Sequence, residues 1–450
     1  EPDKASAVEE LILTTLEKVA ETGFSQAEIE AQLHQLELSQ REISGGGMPY
    51  GMQLIMAGFG AGVHRSNPVE LLDIDTALAE LRQDVADPEF LPKLIKDLCL
   101  TNPHRLTLTL RPCNQLAKNR QAHEEAQLAT IQAGLSAEEQ QAIIQLSQDL
   151  AQRQTQTDDA SLLPKVTLAD VPKEVSYPEK QLLALNQPAS WYTAGTNGLV
   201  YLQAWLQLPQ LSTEESELLP LYAYLLSELG CGERSYQENQ ALQSQVSGGI
   251  NASLSLRPAL NSEQEVSGYL KLGGKALARN QAKLQQLLVE TLNEVKFDEL
   301  SKIKELITER AAAAARSITG NGHGYAMTAA ASQLSPLGNF SQNTSGLAGV
   351  AKLKDLAKNL EDAANLTEFA ANLAQLHQKL KAAPKQFLLI GEEANQASIT
   401  ASLESTWPAA ASNEDFTGFS LPSSRKAVKQ AWVTNTQVNF CALAFPSVTG

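Results

Sequence analysis

Six histidines are the residues of this 450-residue chain best suited to hold a metal, and two of them stand in almost the right company. "HQLEL", His34 to Leu38, falls one residue short of H-x-x-E-H, with Leu38 where the second imidazole belongs. "HEEAQ", His123 to Gln127, misses H-E-x-x-H in the same way, with Gln127 in that place. A helical zinc motif needs two imidazoles one turn apart on one face, plus a carboxylate to act as base. One imidazole leaves the ion short of ligands, so both stretches read as polar residues on the surface of a helix. His323 sits in "TGNGHGYAM", whose glycines could cradle an anion or a peptide chain. That loop meets neither phosphate-binding glycine pattern, nor does "LGGKA" around Lys275, and a structural turn is the plainer reading. There is no G-x-S-x-G elbow and no cysteine in a recognisable nucleophile setting. By its own residues the chain holds no complete catalytic constellation.

One further stretch has the layout of a site. "LLPLYAYLLSELGCGERSY", residues 218–236, reads as a short apolar helix that stops at a Gly-x-Gly turn. Nothing on it binds a metal strongly, attacks a substrate or acts as a base near neutral pH. Leu218, Leu221, Leu225 and Leu229 fall on one helical stripe, which packing alone explains.

Composition narrows the classes. A formal charge of -16 and a pI near 4.9 argue against a phosphate-binding surface, and no basic stripe marks a nucleic-acid binder. Acidic walls would steer basic peptides inward. Hydrophobic residues make up 43%, enough for real cores, and the length suits two to three domains. Cys99, Cys113, Cys231 and Cys441 have no CxxC spacing, which suits a reducing compartment. No apolar run approaches the roughly 18 residues of a membrane helix. The opening "EPDKAS" lacks a Met, which fits an upstream natural N-terminus.

The elements expected from spacing are mostly helical at first. "ASAVEELILTTLEKVAETG" ends at Gly23, and Ser25 with Glu28 forms a capping box for a helix through Ile43. A glycine run at 44–51 breaks the pattern, helices follow Pro68 and Pro92, and 104–112 alternates as a strand. Residues 114–156 predict a helical hairpin, with a second capping box at Ser136 and Glu139, acting as a spacer. A proline-bearing linker follows. Then come strands at 198–208, "SGGINASLSLRP" and "VSGYLKLGG", and helices at 276–295, 297–317 and, in pieces, 351–382. "KQFLLIGEEAN" predicts strand then helix, and 437–450 a final strand. The expected fold is α+β, with antiparallel sheets packed by helices.

Several stretches together resemble the insulinase-type, or pitrilysin-like, zinc metallopeptidases, specifically the presequence-protease branch. They are "ETGFSQAEIEAQLHQLELSQRE", "LCLTNPHRLTLTLRP", "GLSAEEQQAIIQLSQDLAQRQ" with "LADVPKEV", "GLVYLQAWLQLPQLSTEESELLPLYAYLLSELGCGERSY" and "GNGHGYAMTAAAS". They occur in the family's order across nearly the whole chain. The resemblance implies homologous α+β units in two halves, joined by a helical hairpin and closing around a chamber for unfolded peptides. Residues 1–112 would be the later part of unit two, 113–177 the hairpin and linker, 178–384 unit three, and 385–450 the start of unit four.

In that family zinc polarises the scissile carbonyl and activates water, and the Glu of H-x-x-E-H takes the proton. The resemblance places that motif and its downstream Glu in unit one, before Glu1, and an assisting Arg and Tyr beyond Gly450. No catalytic residue or metal ligand is then expected in this chain, and zinc would bind outside it. Counting back from Gly230 puts Leu221, Tyr224 and Leu225 at the three motif positions, so 218–236 would be the zinc-free copy of a catalytic helix. Tyr224, with a pKa near 10, is a poor base. Gly248, Gly249, Asn251, His323 and Tyr325 are the residues the resemblance offers as contacts to substrate in the chamber.

The function implied is the wall and scaffold of a zinc-dependent metalloendopeptidase acting on short unstructured peptides, such as targeting peptides. The fragment alone is expected to be inactive. The alternative is a non-catalytic structural or peptide-binding subunit of the same fold; a weaker third is an interaction module built on the 114–156 hairpin. Expected partners are peptides and the missing N-terminal half, with no nucleic acid and no membrane. Bacterial cytoplasm or an organelle matrix is the expected compartment.

Overall fold

The structure, a computed structural model, describes residues 4–43, 47–175, 177–408, 416–434, 436 and 438–446. Its elements begin with α1 (Ala5–Thr22), α2 (Gln26–Arg41), α3 (Tyr50–Val63), α4 (Ile74–Asp84), α5 (Phe90–Ile95), α6 (Leu116–Gly134) and α7 (Ala137–Thr155). Next come β1 (Gln181–Leu183), β2 (Ala189–Thr193), β3 (Leu199–Gln207), α8 (Thr213–Leu226), α9 (Tyr236–Val246), β4 (Ile250–Ala259) and β5 (Ser262–Leu277). The remainder is α10 (Gln281–Glu294), α11 (Leu300–Gly320), α12 (Gly322–Ala331), α13 (Pro336–Thr344), α14 (Leu347–Asn359), α15 (Ala363–Lys381), β6 (Lys385–Gly391) and α16 (Gln396–Thr406). Two compact units result, one from Glu1–Gly23 with Pro88–Tyr177, the other from Phe24–Asp87 with Pro178–Gly450.

In the first unit α1 packs on α5 and stops at Gly23, whose φ of 68° needs the freedom of glycine. The two helices expected over 114–156 form as α6 and α7. Ser136 and Glu139 close a capping box at the start of α7, and both helices are solvent-exposed along their length. The strand expected at 104–112 is not formed: Leu106, Leu108 and Leu110 are 87%, 73% and 85% exposed. Alternation supplies a strand's face but not its ladder, and no described residue offers these backbone groups a partner strand.

The second unit is built on a six-stranded sheet in the order β1-β2-β6-β3-β5-β4. It is mixed rather than antiparallel, because β6 runs parallel to β2 while every other neighbour is antiparallel. The residues expected to open a fourth unit thus supply a strand in the middle of this sheet. Alternation along β3 and β5 sends Leu202, Ala204, Leu206, Leu270 and Leu272 inward, where they meet leucines of α8, α10, α11 and α15 in one core. β5 runs on to Leu277, paired with Leu199, so the helix expected from 276 begins only at Gln281. The final strand expected over 437–450 is also missing from 438–446; positions 437 and 447–450 lie outside the described residues. Of the glycine run expected to break the early helices, positions 44–46 also lie outside them, and α3 begins within its last two residues.

Helix α2 carries the expected capping box and docks on α9. Gln35 donates to the Ser247 carbonyl at 2.7 Å, and the His34 ring bonds the Ser244 carbonyl at 3.0 Å. Leu38 plugs a small apolar patch with Leu199 and Leu277. Buried Glu37 accepts from Arg41, Arg82 and Arg279, and these guanidiniums hold its carboxyl down at about 2. His34 is therefore a buried docking residue, not the surface polar residue its motif fragment suggests.

Candidate functional site

Helix α8 begins where Ser212 accepts from the Glu215 N–H at 3.2 Å and the Glu215 carboxylate accepts the Ser212 N–H at 3.0 Å. Glu214 and Glu215 also place negative charge at the positive end of the helix. Burial is wider than one leucine stripe. Leu219, Tyr222, Ala223, Leu225 and Leu226 are buried, as is Leu229 beyond the helix, while Leu218 and Leu221 are only partly covered. The sequence pattern understated this because the helix is wedged between β4, α13 and α15 and buries more than one face.

Of the three residues expected at the motif positions, Leu225 is fully buried and Leu221 and Tyr224 are half-buried against the core. Leucine side chains have no lone pair to give a metal. The Tyr224 ring lies under the Arg310 guanidinium, 4.6 Å from its centre, and burial raises its hydroxyl pKa, helped by Glu228. That moves it further from use as a base. The zinc implied by the resemblance does not fit this helix. Among the described residues no three or more His, Cys, Asp or Glu are grouped to hold a metal ion.

The turn after α8 is a structural corner. Gly230 N–H donates to Glu299 Oε2 at 2.6 Å, and Tyr236 N–H, at the start of α9, donates to Oε1 of the same carboxylate at 2.9 Å. One acid thus ties both helices to the N-terminal end of α11. Asn239 and Gln243 of α9 donate to the Leu229 and Ser227 carbonyls at 2.9 and 3.0 Å, satisfying acceptors at the end of α8. Gly232, at φ 58°, donates its N–H to the Glu294 carbonyl at 2.9 Å. The N–H groups of Gly230 and Gly232 are thereby consumed within the fold.

Behind the helix lies a pair that no local pattern announces. Tyr222 Oη and His377 Nδ1 are 2.8 Å apart, with the Phe297 ring 5.5 Å from the imidazole. Burial pushes the phenol up and holds the imidazole down at about 4, so both are neutral. They sit 155 residues apart in sequence, which is why spacing could not reveal them.

The expected chamber contacts fall on two different elements. Gly248, Gly249 and Asn251 lead into β4, the edge of the sheet. Gly249 takes φ 92°, and Gly248 donates its N–H to the Lys275 carbonyl at 2.8 Å. His323 and Tyr325 belong to the first turns of α12 rather than to an open loop. His323 is exposed, and Tyr325 Oη pairs with Ser317 Oγ at 2.9 Å. The other near-miss histidine, His123, is exposed on α6.

Comparison with known proteins adds the following. The sequence model of the family of regions associated with peptidase family M16, subfamily C, matches residues 110–356. A mitochondrial presequence protease from Xenopus laevis is 26% identical over 399 residues, covering 87% of this chain and 39% of its own length. Presequence protease 1, chloroplastic/mitochondrial, from Arabidopsis thaliana is 26% identical over 368 residues, covering 80% of this chain and 34% of its own. Among solved structures, the periplasmic protease PqqL from Escherichia coli shares 14% identity at a TM-score of 0.36, covering 92% of this chain and 42% of that one. The chain spans less than two-fifths of the length of these two presequence proteases.

Proposed function

The chain belongs to the family associated with peptidase family M16, subfamily C, and from that premise we propose that it forms the non-catalytic wall and scaffold of a zinc-dependent metalloendopeptidase that degrades short unstructured peptides, targeting peptides among them. The observation that carries this reading is the filling of α8, where leucine, tyrosine and leucine occupy the three motif positions and are packed against the core. The names of the relatives supply the activity. In this reading residues 178–384 are a zinc-free copy of a catalytic unit, with β6 completing their sheet. Zinc and its ligands belong to the N-terminal half of the whole protein, and the 113–177 hairpin joins the halves.

This chain's own share of the work is shape and contact. A rigid α8–α9 corner fixes the wall, while Gly248, Gly249 and Asn251 at the edge strand, with His323 and Tyr325 on α12, present surface to the peptide. The compartment that fits the relatives' names and the free cysteines is an organelle matrix, or the cytoplasm of a bacterium.

The test compares the full-length gene product with the 450-residue chain on a fluorogenic unstructured peptide. The full-length protein should cleave it, lose activity to a chelator and regain it with zinc, while the chain alone stays inactive. Chelator-sensitive cleavage by the chain alone would refute the assignment. A full-length product that binds but never cleaves the peptide would make it a binding subunit instead.

A further inference from the structure

The two faces of the six-stranded sheet differ in chemistry. Its inward face is the leucine core, and helices cover it. Outward, α2 covers the end at Leu199 and Leu277, where Tyr201 packs against Leu38, and beyond it the alternate positions of β3, β5 and β4 carry Trp205, Tyr269, Lys271, Lys275 and Arg257, none of them fully buried. Lys271 Nζ lies 5.4 Å from the centre of the Trp205 ring, which meets Tyr269 edge-to-face at 5.7 Å.

Carboxylates are almost absent from these strands. In all six, the only ones are Glu263 and Glu265, at the hairpin end of β5, and Glu263 is held by Arg425 at 2.5 Å. From outside the sheet, Glu42 reaches Lys275 at 2.5 Å. Lys271 and Arg257 have no carboxylate partner among the described residues. A chain of net charge -16 thus keeps one sheet face aromatic and cationic.

We infer that the part of this sheet face that α2 leaves uncovered is the unit's peptide-facing surface and that it selects extended peptide segments carrying carboxylates. The inference rests on the chamber-wall reading above and sharpens it, because net charge alone points to basic peptides. Fields are local: within a Debye length of about 8 Å at physiological salt, a ligand lying across β3, β5 and β4 meets the charges of Lys271 and Arg257 rather than the net charge of the whole chain. The aromatic pair offers flat apolar area to side chains flanking the carboxylate, and Lys271 above Trp205 puts charge and ring at one spot.

The experiment uses the purified 450-residue chain and fluorescence anisotropy with two labelled unstructured peptides of equal length. One is rich in Asp and Phe; the other has Lys in place of each Asp. The acidic peptide should bind about tenfold more tightly at low salt, with the advantage shrinking as ionic strength rises. Lys271→Glu, and separately Arg257→Glu, should remove most of that preference, and Trp205→Ala should weaken both peptides, with unchanged melting showing that each variant is folded. Equal binding, preference for the basic peptide, or a preference that survives both charge reversals would overturn the inference while leaving the wall reading intact. Binding of neither peptide would overturn the inference as well, while the wall reading stands or falls by the cleavage test on the full-length product.

Discussion

At the scale of single residues, Gly230 is where the corner after α8 forgives least. A Cβ there would come within 2.5 Å of the Arg234 carbonyl and 3.0 Å of the Glu299 carboxylate. Gly230→Ala should therefore destabilise the fold by about 2 kcal/mol, the usual cost of overpacking, read from the urea midpoint. His377 supplies a pH dependence with a definite sign. Its folded pKa of about 4 lies below the unfolded value near 6.5, so the unfolded state binds the proton more readily. The stability it protects is present above pH 6.5 and lost as pH falls toward 4, on the order of 3 kcal/mol in all. His377→Gln should flatten that limb of a stability–pH curve, leaving a weaker slope from His34, which burial also depresses. Glu37, held at about 2, acts in a lower window: its contribution is present above about 4.5 and falls away toward pH 2.

At the scale of elements, α2 depends on a buried carboxylate more than on apolar area. Glu37→Ala would leave three guanidiniums facing an emptied site, and a loss of about 3 kcal/mol is expected for breaking such a cluster. Hydrogen exchange should locate the damage in α2 and α4, with the sheet strands less affected. Ser136→Ala on α7 should cost about 1 kcal/mol and fray only the first turn of that exposed helix. Elements with local signals were legible in the sequence. The capping boxes at Ser25 and Ser136, the Gly23 stop and the alternation of β3 are written within a few residues, and each appears where expected. What depends on distant partners was not legible. His34 passed for a surface residue because its carbonyl partner, Ser244, is 210 positions away. Residues 104–112 passed for a strand because alternation is visible and a missing ladder is not. The start of α10 was misplaced because Ala276 and Leu277 suit a helix by propensity but are held in β5 by pairing with β3.

At the scale of the whole molecule, the two units differ in what they bury. The first exposes nearly all of α6 and α7, whereas the sheet unit has an extensive leucine core. Unfolding should not be two-state: the helical signal of α6 and α7 should be lost at lower denaturant than the sheet unit's near-ultraviolet signal. Limited proteolysis should cut first in the exposed stretch between α7 and β1. The residue types on α8 can be read directly from the sequence, and the structure packs Leu221, Tyr224 and Leu225 against the core. The surroundings of that helix were not legible, because the Glu299 latch, the Tyr222–His377 pair and the outward face of the sheet join residues far apart in sequence.

The position of β6 has a consequence for how the protein is made. β2 and β3 emerge early, yet the strand between them lies nearly two hundred residues later, past α15. During synthesis from the N-terminus, the two sheet fragments must wait with facing edges unpaired until 385–391 arrives. The last helices before β6 are thus made while the sheet is still split, and closure is a late, long-range event of the kind that slows folding. A chain ended at 384, the boundary suggested by sequence, would keep the helices through α15 and lose both the seam and α16. It should collect in aggregates through those edges, and supplying 385–408 as a separate peptide should rescue its solubility.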